Sequence, residues 1–360
     1  MNFSGKKKLP IRDRGDLGIE AHNPCATALA PMQDVTGLAF MRVIAKRGAP
    51  DLFFTEFFRV HGHSRLDPEI LRSITENPTD RPVFAQLIGE SLEDLKRTID
   101  EILEFPIAGI DLNLGCPAPR VYKKNVGGGL LRDPDRIDEI LSVLRKSTFG
   151  NLSVKMRFGF QDDQHFQDIL HILISHQIDL LSLHARTVRG GYKSDPEYGY
   201  VSEAAVQLNE TCPVFLNGNV SSARDGIELN SFHGSRGVMI GRAAIANPWI
   251  FRQIKELRDG QKAFEPKLGD LFGYLVELYE ELARPSMHEE KRVSRMKKFL
   301  NYIGMSLEGK GSFLDEMRRS TSKKELFSTF SKHLTTDGQS CMPIPYSSPS
   351  RRQSAFALKS

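Results

Sequence analysis

The sequence is poor in cysteine and contains no long apolar run. Cys25, Cys116, Cys212 and Cys341 are scattered through 360 residues. That is too few for a disulfide scaffold, and no two have the spacing of a metal-binding pair. His61 and His63 alternate but lack a third ligand at useful spacing, so no metal is expected. No window approaches the roughly 18 uncharged apolar residues of a membrane span. The basic run Lys6, Lys7, Lys8 is followed by no apolar stretch before Pro24, which argues against a secretory leader. A reducing cytoplasm is the expected compartment, away from any membrane. Charge of one sign is also barely in excess: 49 basic against 45 acidic residues leave +4. Net charge alone therefore does not mark a nucleic-acid binder.

A rhythm is present instead. Eight short apolar or β-branched runs end in polar or glycine residues: 27–32, 51–57, 82–89, 109–116, 152–157, 179–187, 213–219 and 237–243. Helical patterns lie between most of them. Ser91 opens one as an N-cap, with Leu92, Leu95, Ile99, Ile102 and Leu103 on one stripe. Asp133-Pro134 opens another, with Ile137, Ile140, Leu141 and Leu144 on one face. Shorter patterns cover 162–175 and 221–229. Eight strand–helix units predict an α/β fold, a (β/α)8 TIM barrel over residues 25–262 after an N-terminal extension, 1–24. A doubly wound sheet is the alternative, although no GxGxxG follows the first strand. Residues 263–335 read as a small all-helical domain without strands, and the Ser/Pro/Arg-rich 336–360 as a disordered tail.

Chemistry gathers at the C-terminal ends of these runs, which converge on one face of a barrel. Cys116 lies between Gly115 and Pro117, which is loop composition, although a lone cysteine more often packs in a core. Its loop continues through Lys123 and Lys124 into Gly127-Gly128-Gly129, expected to be mobile and basic. An ordinary thiol, with a pKa of about 8.5, is mostly protonated at neutrality and can donate a proton. Lys155 and Arg157 alternate and so share a strand face, directed inward in a barrel. They either pair with Asp111 or Glu56, or contact a cofactor. His184 and Arg186 repeat this pattern one strand later. Asn217-Gly218-Asn219 and Gly241-Arg242 end the last two runs, the common phosphate position of such barrels. Cys25 and Cys212 read as packing residues, and Trp249 as packing for the last barrel helix.

In order and spacing, LAPMQDVT (29–36), FAQLIG (84–89), DLNLGCPAPRV (111–121), KMR (155–157), HART (184–187), NGN (217–219) and GRAAIANPWIF (241–251) resemble the tRNA dihydrouridine synthase family. The resemblance covers about Ala28 to Ile254, more weakly beyond. It implies a barrel holding FMN, NADPH as reductant, and a helical domain that helps grip tRNA. Pro31, Met32 and Gln33 would line the flavin, Gln86 and Lys155 contact its ring, and His184 lie beside it. Asn217, Gly218, Asn219, Gly241 and Arg242 would hold its phosphate. Asn113 and Arg186 would lie by the target uracil, and Cys116 would be the acid. Hydride would reach uracil C6 and the thiol proton C5. Asn219 stands where the family often has aspartate, and the 121–134 run matches no one bacterial subfamily.

The target base would be extruded from folded RNA, and other contacts would be to phosphates. Arg292, Arg295 and Lys298, with Lys291 and Lys297, form a candidate phosphate rail or a plain solvated helix face. Arg65, Lys123, Lys124, Arg189 and Lys193 would ring the pocket. The protein is expected to act as a monomer. A small-molecule FMN oxidoreductase and an inactive tRNA-binding relative are the competing readings.

Overall fold

The computed structural model describes residues 14–208, 211–307 and 310–334. Cys341 and the expected tail lie outside them. Nine parallel strand segments fill eight positions around a barrel. They are β1 (Ala26–Leu29), β2 (Phe53–Phe54), β3 (Phe58–Arg59), β4 (Val83–Ile88), β5 (Gly109–Leu114), β6 (Asn151–Arg157), β7 (Leu180–His184), β8 (Val214–Asn217) and β9 (Gly237–Ile240). The order β1-β9-β8-β7-β6-β5-β4-β2 closes through a bridge between Ala28 and Leu52, where the Leu29 N–H donates to the Leu52 carbonyl at 3.2 Å. The second expected strand differs from its reading as one run. It breaks at Thr55-Glu56-Phe57, so β2 and β3 pair with β4 separately. The break turns Glu56 and Phe57 to the barrel mouth.

Around the strands lie α1 (Leu38–Gly48), α2 (Pro68–Thr75), α3 (Leu92–Ile102), α4 (Pro119–Tyr122), α5 (Pro134–Ser147), α6 (Phe166–Ser175), α7 (Gly199–Leu208), α8 (Ala223–Phe232), α9 (Arg242–Ala246) and α10 (Ile250–Arg258). The cap residues do what their chemistry suggests. Ser91 accepts the Asp94 N–H and Asp133 the Arg136 N–H, satisfying amides that a helix start leaves open. The expected stripe Ile137, Ile140, Leu141, Leu144 is buried.

The barrel interior has two levels. Phe54 and Phe84, stacked 5.1 Å apart, Leu180, Phe215 and Met239 form an apolar cluster. The N-terminal segment joins this cluster through Leu17, while the Gly15 N–H donates to Asn151 Oδ1 at 2.8 Å. Above it the strand register places polar residues side by side: Gln86 with Asp111, Asn113 with Lys155, Arg157 with His184, His184 with Asn217.

Four helices follow: α11 (Leu268–Glu281), α12 (Glu289–Ile303), α13 (Lys310–Arg319) and α14 (Lys323–Leu334). They pack on the barrel beside α1. Phe40 meets Phe299 at 5.8 Å, Arg47 pairs with Glu277 at 2.6 Å, and the Tyr274 hydroxyl donates to the Ile245 carbonyl at 3.0 Å. Trp249 is buried at this junction against Phe264 and Tyr274. Among the described residues no helix is long and apolar enough to cross a membrane, and no cluster of three or more metal-ligating side chains occurs.

Candidate active site

A cavity of about 290 Å³ opens at the C-terminal ends of the strands. Its wall includes Pro31, Met32 and Gln33 after β1, Gln86, Asn113, Cys116, Lys155, Arg157 and His184. Asn217, Gly218, Asn219, Gly241 and Arg242 complete the sequence-derived set that it brings together. Among the lining positions that sequence reasoning did not assign to it are Glu56, Phe57, Tyr192 and Tyr302. Tyr192 had a readable signal, an aromatic directly after Gly190-Gly191 beyond a strand end. Tyr302 had none, because only tertiary packing brings α12 to the mouth.

One hydrogen-bonded chain ends at the cysteine loop. Buried Asp111 accepts from Ser153 Oγ at 2.6 Å and from Gln86 Nε2 at 2.7 Å. Gln86 Oε1 accepts from Asn113 Nδ2 at 2.8 Å. Asn113 Oδ1 then accepts the N–H groups of Gly115 and Cys116 at 3.1 and 3.0 Å. Burial lifts the Asp111 carboxyl to about 6, against the pull of these donors and of Lys155. Its acceptor oxygens set both amides in one orientation.

Cys116 is half-exposed on the cavity wall. Cys25 and Cys212 are buried, and burial pushes both thiols up to about 12, which leaves them inert. The glycine run after Cys116 differs from the mobile loop expected of it. Gly127–Arg132 is a 3-10 turn, and Gly127, Gly128 and Gly129 are buried beneath the cysteine. A Cβ on Gly128 would lie 2.6 Å from Val188 Cγ2 and 2.9 Å from the Cys116 carbonyl oxygen. Small size, not flexibility, is what this position requires.

The opposite wall is cationic. Lys155 Nζ donates to Asn217 Oδ1 at 3.1 Å, and burial with the nearby Arg157 charge lowers its pKa to about 8. Arg157 donates to the carbonyls of Gly115 and Thr187 at 3.0 and 2.8 Å, and burial brings it down to about 10. Carbonyls, not the carboxylates of Asp111 or Glu56, hold these two cations in place. Arg242 donates to Asn219 Oδ1 at 3.2 Å and stacks 4.5 Å from the Tyr192 ring. Burial, and then the charges of Arg157, Lys155, Arg186 and Arg242, drive His184 well below its usual value. It is a neutral imidazole whose buried Nδ1 finds no partner among the described residues. Gly218 has φ of +114°, and a Cβ there would lie 3.2 Å from His184 Cε1. Only glycine suits that backbone and leaves the His184 ring uncovered. Across the mouth Glu56 accepts the Asp34 N–H at 2.8 Å, and burial raises it to about 7.

The other sequence candidates lie apart from this wall. Arg186 is fully buried and donates to the Ser194 carbonyl at 2.7 Å. Lys123 and Lys124 are exposed just past α4. Arg292 stacks 4.0 Å from Tyr279 and pairs with Glu280 at 2.7 Å. Lys298 pairs with Asp34 at 3.0 Å, and Arg295 is half-buried facing Glu56 and Glu69.

The arrangement joins an accessible thiol to a cationic pocket with an unsatisfied imidazole nitrogen, which suits an anionic cofactor beside a proton donor. The dihydrouridine synthase (Dus) family model matches residues 28–337. A probable tRNA-dihydrouridine synthase of Staphylococcus aureus (strain COL) is 31% identical over 274 residues, 74% of this chain and 81% of that protein. One from Staphylococcus epidermidis (strain ATCC 12228 / FDA PCI 1200) is 33% identical over 234 residues, covering 62% and 70%. Probable tRNA-dihydrouridine synthase 2 of Bacillus subtilis (strain 168) is 28% identical over 272 residues, covering 74% and 82%. The chain belongs to the dihydrouridine synthase family.

Proposed function

We propose that the protein reduces the C5=C6 bond of a uracil base in tRNA, with FMN as cofactor, NADPH as reductant and Cys116 as the acid. The observation that carries this reading is that the half-exposed thiol and the cationic wall belong to one cavity. The donor set fits FMN. Gly218 and Gly241 leave room for close backbone approach, Arg242 supplies a phosphate partner, and His184, whose Nδ1 is orphaned among the described residues, lines the same wall. Lys155, held by Asn217, would place positive charge beside the ring. Pro31, Met32, Gln33 and Gln86 would line it.

When bound, reduced FMN supplies the hydride that adds to C6. The residues of the chain manage the proton. Electron density moves toward C5 and O4, and the Cys116 thiol gives its proton to C5 and is reprotonated from solvent. Asn113 fixes the backbone on which that thiol rides. The target base would have to leave its stack to enter the cavity. Lys123, Lys124, Arg292, Arg295 and Lys298 are the proposed RNA-side cations; Arg186, fully buried against the Ser194 carbonyl, offers the RNA no surface. Lys298 and Arg295 would exchange protein acids for phosphates. The reading places the protein with tRNA in the cytoplasm.

The test uses purified protein and tRNA lacking dihydrouridine. Retained flavin, bleaching by NADPH and new dihydrouridine support the proposal. Turnover of a small enoate or dihydroorotate-like substrate, with none on tRNA, contradicts it.

A further inference from the structure

A groove of about 680 Å³ leaves the cavity mouth on the barrel side and shares Gln33 and Phe57 with the cavity wall. Arg59 at the end of β3, Arg65 before α2, Arg120 in α4 and Lys124 just beyond it line this groove. All four are exposed, and no ion pair or side-chain hydrogen bond engages any of them among the described residues. The acid on the wall, Asp67, is occupied in capping α2 through the Glu69 N–H at 2.8 Å. The turn beneath is held in shape by Arg97, which donates to the carbonyls of His61 and Gly62 at 3.0 and 3.3 Å.

Three cations of α12 stand differently. Lys298 is paired with Asp34 at 3.0 Å and Arg292 with Glu280 at 2.7 Å, while Arg295 faces Glu56 and Glu69. A phosphate reaching them exchanges one ion pair for another. A phosphate reaching the groove meets unpaired charge and releases condensed counterions.

We propose that this groove carries the RNA sugar-phosphate backbone beside the extruded base, with Arg59, Arg65, Arg120 and Lys124 as its phosphate contacts. The inference rests on the tRNA reading above and adds the path of the strand. Arg120 and Lys124 sit on the turn that follows Cys116, so a strand held there is fixed relative to the thiol.

The experiment measures binding of unmodified tRNA to the full-length, flavin-loaded protein across a salt series. One variant combines Arg59→Gln, Arg65→Gln, Arg120→Gln and Lys124→Gln. A second combines Lys291→Gln, Arg295→Gln and Lys298→Gln on α12. A control replaces the exposed Lys96, Lys146 and Lys255, which line neither the cavity nor the groove. Retained flavin and unchanged bleaching by NADPH report an intact barrel. The groove variant is expected to lose about three from the slope of log affinity against log salt, roughly 0.7–0.9 per phosphate. The control is expected to keep the wild-type slope. A wild-type slope in the groove variant, or a larger loss in the α12 variant, overturns the proposal and leaves the enzymatic reading standing. Absence of tRNA binding by the wild-type protein overturns both.

Discussion

Asn113 Oδ1 accepts the backbone N–H of Cys116 at 3.0 Å, so the side chain near the end of β5 sets the direction in which the following thiol leaves the strand. The same asparagine donates to Gln86, which donates to buried Asp111. A carboxylate inside the barrel thereby holds the loop at its mouth. Asn113 has a structural task whether or not it also meets the substrate.

The glycine turn beneath Cys116 gives a sharp expectation. Gly128→Ala places a methyl group against Val188 and the Cys116 carbonyl. The variant should lose about 1–3 kcal/mol of stability, as overpacked positions do. It should lose dihydrouridine formation more than flavin reduction by NADPH. Equal loss of both steps would mean that the turn does not specifically support the thiol.

His184 should not titrate near neutrality. Burial and four surrounding cations lower its pKa, so the folded protein leaves it neutral where an unfolded chain takes up a proton. Its contribution to stability is therefore present above about pH 6.5 and falls as pH drops below that value. Imidazole nitrogen NMR of the flavin-free protein should show one neutral tautomer from about pH 6 to 8. A titration midpoint within that window contradicts the placement.

Lys155 carries a pH dependence of opposite consequence for the ligand. Its pKa in the fold is about 8 against 10.5 for an ordinary lysine. Between these values the unfolded chain binds the proton that the fold does not, so stability rises with pH through that window. FMN affinity, if Lys155 contributes its charge, should instead weaken as pH rises past about 8. Lys155→Gln should weaken FMN binding about tenfold or more, from one charged hydrogen bond, and flatten that pH profile. Flavin-fluorescence titrations across pH decide this. An unchanged profile would separate Lys155 from the cofactor.

Much of this was legible in the chain because period-two patterning and strand-end polarity are local signals. Lys155 and Arg157 announced a shared face, and Ser91 and Asp133 announced helix starts. The break at Thr55-Glu56-Phe57 was hidden because an apolar run reads the same whether it forms one strand or two. Gly127-Gly128-Gly129 was misread because glycine serves both flexibility and close packing, and only neighbours such as Val188 distinguish them. Arg292 and Lys298 looked like a free basic face because their partners, Glu280 and Asp34, come from other elements. Tyr302 joins the cavity through helix packing that no local pattern encodes.

The central claim is that Cys116 donates the proton to C5, and Cys116→Ala tests it most directly. The variant should stay yellow and oxidise NADPH at the wild-type rate, yet form no measurable dihydrouridine on tRNA that the wild-type protein modifies. Undiminished dihydrouridine formation by this variant would contradict the account.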